Sequence, residues 1–252
     1  MWTTARCEQD VTYVEPWQPH DGLADLAAVA TRARLLAPNR PAVLAAYQTA
    51  YALLPAAQAE LTNRLTMAVL FSHGATQLLA GESGNILVDP YYVRNHVADP
   101  STIDMLARWY DFLVASGDIL LAPGNADITR AVTGTLNNET DIRSPRSAVS
   151  HDAVPGTIWR RVVKTTHGQV IHLINLTDQT ETGWDTAKAD LSDVDDLVLQ
   201  VRRVDGTLPV VRVADPDRGP GFTAVPMTAD GIHAIAQLPP LHAWQVILVS
   251  QS

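Results

Sequence analysis

The sequence predicts an α/β unit followed by an all-β unit. Between about residues 11 and 121, short apolar runs alternate with longer segments whose apolar residues recur every three or four positions, which is the pattern of βα units. From about residue 156 this helical period is lost, and turn-forming pairs such as Asp205-Gly206 separate short alternating segments. We therefore expect residues 1–122 to form part of a βα fold, 123–155 an irregular linker and 156–252 a small antiparallel β-sandwich.

The first predicted strand ends in a carboxylate. Residues 11–15 alternate apolar and polar side chains, and Pro16 ends the strand because it has no amide hydrogen to donate to a ladder. Glu15 then lies at the C-terminal tip of the strand, which on a βα scaffold faces the active-site mouth. Beside Tyr13 and Trp17, desolvation would favour the protonated form that a general acid needs. The competing interpretation is a solvated glutamate on a loop.

The remaining elements follow from periodicity and from helix and strand boundaries. In the α/β part, we expect a helix from Asp21 to about Pro38, a strand over 42–47, a helix from Pro55 to Gly74, a strand over 76–79, a long loop, and a helix from Asp99 or Ser101 to about Leu121. In the all-β part, the expected strands are 158–164, 170–175, 197–204, 210–213, 222–226, 232–236 and 243–249.

The composition argues against several kinds of partner. A net charge of −9 disfavours nucleic acid and anionic membranes, since both need clustered Lys and Arg. No signal peptide and no uncharged run of roughly 18 residues is visible, so the sequence predicts neither export nor a membrane anchor. The single cysteine, Cys7, has no internal disulfide partner. No nucleotide-binding or metal-binding motif is present, and we expect no cofactor and no metal.

Carboxylates and aromatic side chains remain as candidates for chemistry. Glu15, Trp17, Tyr47 and Glu82 all lie at or just past predicted strand ends, and His73 could join them. Acids that transfer protons, beside flat rings that cover pyranose faces, are typical of sugar-active proteins. We expect Glu15 to be catalytic and the other four to bind substrate.

Each candidate also has a structural interpretation. Tyr47 could simply finish a strand, Glu82 could hold its loop through hydrogen bonds, and His73 could interact with a helix end. The other tryptophans lie in helix or sandwich patterns and are expected to pack in the interior; they are Trp109, Trp159, Trp184 and Trp244.

Several motifs, in this order, resemble glycoside hydrolase family 66. They are YVEPW, HDGLADL, AVLAAY, LLAGES and RWYDFLVA, followed by VIHLINL, VRVADPD and LPPLHAWQVILV, and together they cover nearly the whole chain. The family contains endo-dextranases and cycloisomaltooligosaccharide glucanotransferases, which are retaining enzymes acting on α-1,6-linked glucans. The resemblance implies the C-terminal part of a (β/α)8 barrel, then a β-domain, and an extracellular enzyme.

The resemblance assigns the family's acid/base glutamate to Glu15, because that residue lies in its Tyr-x-Glu-x-Trp strand. The family's nucleophilic aspartate lies upstream of this motif, and neither Asp10, Asp21 nor Asp25 matches it. Three βα units cannot close an eight-stranded barrel. We therefore expect a fragment of a dextran-cleaving enzyme, with the nucleophile missing and no activity alone. A glucanotransferase fragment and a non-catalytic glucan-binding remnant are the alternatives.

Overall fold

The computed structural model describes residues 8–91, 95–134 and 138–250, so Cys7 lies outside the part that it describes. The chain divides into two compact units. The first consists of Met1–Pro123 with Glu181–Asp190, and the second of Gly124–Thr180 with Leu191–Ser252. The segment Glu181–Asp190, which we expected in the all-β part, thus belongs to the α/β unit.

The first unit is built on a three-stranded parallel sheet. Strands β1 (Thr12–Val14), β2 (Ala42–Leu44) and β3 (Ala75–Gln77) lie in the order β1-β2-β3. The three predicted strands are confirmed, although each is shorter than expected. Since all three run in the same direction, the residues that follow them lie at one edge of the sheet, which we call the C-terminal edge.

Helices cover one face of this sheet. They are α1 (Leu23–Leu36), α2 (Ala50–Leu53), α3 (Ala56–Ser72), α4 (Pro100–Ala115) and α5 (Gly117–Leu120). The predicted cap at Asp21 is wrong: α1 begins after Gly22, whose amide donates to Asp25 Oδ2 at 2.9 Å. In the described part of the chain, no helix is both long enough and apolar enough to cross a bilayer.

The long loop after β3 has structure of its own. It contains a 3-10 turn at Glu82–Gly84 and a small antiparallel pair, β4 (Asn85–Ile86) with β5 (His96–Val97). Such short polar strands carry no alternation that sequence analysis could detect, because their pairing depends on the partner segment.

The other face of the parallel sheet is open. Thr12 and Val14 point towards the helices and are buried, whereas Val11, Tyr13 and Leu78 on the opposite face remain 39%, 45% and 41% exposed. Parallel sheets are normally covered on both faces. Within the described residues, the three strands form no closed barrel.

The second unit contains two larger sheets. Its elements are β6 (Ala126–Asp127), α6 (Thr129–Val132), β7 (Thr140–Arg143), β8 (Ala148–Ser150), β9 (Thr157–Thr165), β10 (Gly168–Asn175), β11 (Val198–Arg202), β12 (Val210–Ala214), β13 (Thr223–Val225), β14 (Thr228–Asp230), β15 (His233–Gln237) and β16 (Trp244–Ser250). One sheet has the order β13-β12-β16-β10-β9-β6, with β8 parallel to β9, and the other has the order β14-β15-β11-β7. Both sheets contribute to one hydrophobic core, for example through Ile171 and Leu199.

All seven strands expected after residue 156 are present in this unit. The predicted linker over 123–155 is wrong, because β6 and β8 pair with β9 and β7 pairs with β11. These strands are two to four residues long and partly polar, so nothing in their own sequence distinguishes them from turns. They form strands because they pair with the longer strands β9 and β11.

The turn between β9 and β10 gives a test of the second unit. Gly168 has a φ of +124°, and a Cβ there would overlap the backbone oxygen of Val249. Gly219 has a similar φ of +132° with nothing within 4 Å of an added Cβ. We expect Gly168→Ala to lower the free energy of unfolding by about 1–3 kcal/mol more than Gly219→Ala. Urea denaturation measures the difference, and equal losses would contradict this packing.

Candidate functional site

Glu15 lies directly after β1 at the C-terminal edge, and three side chains bind its carboxylate. The hydroxyl groups of Tyr13 and Tyr47 donate to Oε1 at 2.8 and 3.0 Å. The indole Nε1 of Trp17 donates to Oε2 at 3.1 Å. The carboxylate is therefore fixed in position by three neutral donors.

The local sequence explains this arrangement. Tyr13 and Glu15 are two residues apart on an extended segment, so both point to the same face. The neighbouring strand β2 runs parallel, with Val14 paired to Leu44, and places Tyr47 just past its own end. The ends of the two strands thus bring the side chains of Glu15 and Tyr47 into contact.

Both tyrosines remain hydrogen-bond donors at neutral pH. Burial raises the pKa of Tyr13 well above its usual range, and its hydrogen bonds with Tyr47 and Glu15 add to this effect. The pKa of Tyr47 is also raised, mainly by burial. Neither phenol competes with Glu15 as an acid near neutral pH, so their role towards it is to hold and orient.

A cavity of about 460 Å³ adjoins the cluster formed by Glu15 and its three donors, Tyr13, Tyr47 and Trp17. Trp17 and Tyr47 line it, with ring centroids 6.0 Å apart and planes tilted by 41°. Trp184, Asp185 and Asp89 also contribute to its lining. Trp17 and Tyr47 therefore both line the cavity and donate hydrogen bonds to Glu15.

The segment Glu181–Asp190 is hydrogen-bonded to the rest of the first unit through several of its residues. The hydrogen bonds are Leu23 N to Thr182 O at 2.7 Å, Trp184 N to Asp21 O at 3.0 Å, Trp184 Nε1 to His20 O at 2.6 Å, Thr66 Oγ1 to Trp184 O at 2.9 Å and Thr62 Oγ1 to Thr186 O at 2.9 Å. Trp184 is buried as expected, but it packs in the first unit instead of the β-sheets.

Asp185 is a carboxylate at this cavity that our sequence analysis missed. Its Oδ2 accepts from Thr49 Oγ1 at 2.5 Å, and its Oδ1 accepts from the amide of Ala50 at 3.1 Å. Burial raises the pKa of Asp185, although these hydrogen bonds act in the opposite direction. No local pattern marks this aspartate, because it reaches the cavity only through the docking of its whole segment.

The structure does not bring the other two predicted residues into the cluster. His73 caps the C-terminal end of α3 and precedes β3, so it lies at the opposite edge of the sheet from Glu15. Its Nδ1 contacts Val69 O at 2.7 Å, in agreement with the structural interpretation. Glu82 follows β3 at the C-terminal edge, but it is exposed and is not among the residues lining the cavity. In the part of the chain that the structure describes, no group of three or more His, Cys, Asp or Glu could hold a metal ion.

The first unit is thus an α/β unit with a carboxylate held by aromatic donors at the C-terminal edge of its parallel sheet, beside a cavity. The sequence profile of glycosyl hydrolase family 66 matches residues 2–248. The chain belongs to this family.

Two similar proteins share one name. A cycloisomaltooligosaccharide glucanotransferase of Niallia circulans is 24% identical over 195 residues, which is 75% of this chain and 20% of that protein. The crystal structure of a cycloisomaltooligosaccharide glucanotransferase from Paenibacillus sp., complexed with cycloisomaltoheptaose, superposes with a TM-score of 0.83 at 15% identity, over 98% of this chain and 53% of that one. At such identity the superposition shows a shared fold. The chain spans about a fifth and about half the length of these two relatives.

Proposed function

We propose that this chain carries the general acid/base, Glu15, of a retaining glycosidase that cleaves α-1,6-glucosidic bonds of dextran-type glucans. The observation that carries the proposal is the position of Glu15: at the end of a parallel strand, bound by three neutral donors and next to an aromatic-lined cavity. Family membership supports glycoside chemistry, and the names of the two similar proteins support a glucan of the isomalto type.

The cavity walls suit a sugar. The rings of Trp17 and Tyr47 offer apolar faces on which a pyranose can pack, while carboxylates nearby can accept hydrogen bonds from its hydroxyl groups. We therefore propose Trp17 and Tyr47 as substrate-binding residues. Glu82 is not proposed as a binding residue, because it is exposed and does not line the cavity, and His73 is left out because it lies at the other edge.

Glu15 would act twice in each turnover. Protonated Glu15 gives its proton to the glycosidic oxygen as the bond to the sugar C1 breaks, and ionised Glu15 then removes a proton from the attacking water. Between these steps, the three donors hold the carboxylate in place. A second carboxylate about 5 Å away would be the nucleophile of a retaining enzyme.

The open face of the parallel sheet supports a barrel. We propose that β1, β2 and β3 are consecutive strands of a (β/α)8 barrel, and that the exposed side chains Val11, Tyr13 and Leu78 face its interior. The proposed nucleophile would lie on one of the other strands. The second unit would be the β-sandwich that accompanies the barrel, and an enzyme acting on polymeric glucan would work outside the cell.

Transfer is the second candidate reaction. Both relatives are named glucanotransferases, and transfer differs from hydrolysis only in that an acceptor sugar hydroxyl, instead of water, gives its proton to Glu15. Product analysis separates the two candidates, since a transferase of this kind produces cyclic isomaltooligosaccharides whereas a hydrolase releases linear ones.

The proposal predicts that the 252-residue chain releases no reducing sugar from dextran above background, because the covalent route needs both carboxylates. Fusing the five preceding βα units of a family 66 enzyme to this chain, which we call the completed barrel, should restore release. Clear release of reducing sugar by the 252-residue chain alone, abolished by Glu15→Gln, would contradict the proposal that the nucleophile lies on one of the other barrel strands. A folded completed barrel that acts on no α-1,6-glucan would contradict the proposed function.

A further inference from the structure

The segment Glu181–Asp190 is closed on itself by an internal ion pair. Its Lys188 ammonium group is fully buried and donates to Glu181 Oε1 at 2.5 Å, to Thr186 Oγ1 at 2.7 Å and to the backbone oxygen of Gly183. This internal ion pair lowers the pKa of Glu181, although partial burial acts in the opposite direction. A loop closed on itself in this way loses little conformational entropy on binding.

Asp185 is the charged residue among those that this segment contributes to the cavity lining. An ionised carboxylate has about four acceptor positions, and the hydroxyl group of Thr49 and the amides of Thr49 and Ala50 donate to this one. A remaining position is available to a hydroxyl group of a molecule in the cavity. The rings of Trp17 and Tyr47 line the same cavity.

We propose that Glu181–Asp190 forms one wall of a glucosyl-binding subsite and that Asp185 is a specificity-determining residue, accepting a hydrogen bond from a hydroxyl group of a glucosyl unit packed on Trp17 and Tyr47. The inference rests on the proposed function for the class of ligand. The volume of the cavity, about 460 Å³, falls within the range of small-molecule sites. The second half of the sequence thus contributes directly to the site of the first unit.

Titration of the full chain with isomaltotriose, followed by tryptophan fluorescence, tests this role. We expect Asp185→Asn to weaken binding by about tenfold or more, because hydrogen bonds to a charged acceptor are stronger than those to a neutral amide. The matched control is Asp190→Asn, an exposed aspartate on the same segment that does not line the cavity, which should leave the affinity unchanged.

A second measurement uses the unaltered chain, since Asp185 also caps α2 and its replacement could affect folding. Carbodiimide labelling followed by mass spectrometry should show that isomaltotriose protects Asp185 and leaves Asp190 unprotected. Equal labelling of Asp185 with and without bound sugar would overturn the inference even if Asp185→Asn does not fold.

The outcomes separate this inference from the proposed function. If isomaltotriose binds equally to the unaltered chain and to Asp185→Asn, the inference fails while the proposed function stands. If maltotriose binds through Asp185 and isomaltotriose does not bind, the subsite stands and the α-1,6 specificity fails. If neither sugar binds, the inference is overturned, and the proposed function is judged by turnover of the completed barrel.

Discussion

Replacing Glu15 with glutamine in the completed barrel should lower turnover on dextran by about 10²–10⁴-fold, the usual contribution of general acid–base catalysis. The loss should be much smaller in the step that forms the glycosyl-enzyme from α-glucosyl fluoride, because fluoride leaves without a proton. Glutamine keeps the size of the side chain, and its carbonyl oxygen can still accept from Tyr13 and Tyr47, whereas its NH2 group replaces the oxygen that accepts from Trp17 Nε1.

Glu82→Gln is the matched control for this prediction. Glu82 is an exposed glutamate at the same edge of the sheet, and its replacement should change turnover on dextran by less than about threefold. Equal losses on dextran and on the fluoride would show that Glu15 does not transfer the proton. A large loss from Glu82→Gln would show that the acid/base role had been assigned to the wrong glutamate.

Two tryptophans at the same cavity should respond in opposite ways to replacement by alanine. Trp184 is 9% exposed and donates to His20 O, whereas Trp17 is 48% exposed. We expect Trp184→Ala to cost about 3–5 kcal/mol of unfolding free energy, because it leaves a void and detaches the segment Glu181–Asp190. Trp17→Ala should cost less than about 1 kcal/mol, but should remove most of the affinity for isomaltotriose.

Chemical denaturation of the full chain and isomaltotriose titration measure these two effects on the same samples. If Trp184→Ala unfolds at the same denaturant concentration as Trp17→Ala, the segment contributes little to the stability of the first unit. If Trp17→Ala keeps full affinity for the sugar, the aromatic wall of the cavity is not a binding surface.

The position of Glu15 could be predicted because its signals are local. Alternation along residues 11–15 sets which side chains share a face, and Pro16 sets where the strand ends. Tyr47 follows from the same reasoning on the next strand. Since parallel neighbouring strands end at the same edge, two local predictions were enough to bring these side chains together.

Asp185 could not be predicted in this way. It lies between two strands of the second unit in sequence, and its contacts are with Thr49 and Ala50, more than 130 residues earlier. Strands β6, β7 and β8 were missed for a related reason, because their pairing depends on β9 and β11 and not on their own residues. His73 was placed at the wrong edge, since the end of a helix preceding a parallel strand lies opposite the strand's own end.

The role of Glu15 is tested most directly by the anomeric configuration of the product that Glu15→Gln forms from α-glucosyl fluoride and azide in the completed barrel. If Glu15 is the acid/base, the nucleophile still forms the glycosyl-enzyme, and azide attacks the face that Glu15 normally serves without needing a base. The expected product is α-glucosyl azide, with turnover that rises with azide concentration. Formation of β-glucosyl azide would instead show direct displacement on a variant lacking its nucleophile, and would contradict the assignment of Glu15 as acid/base.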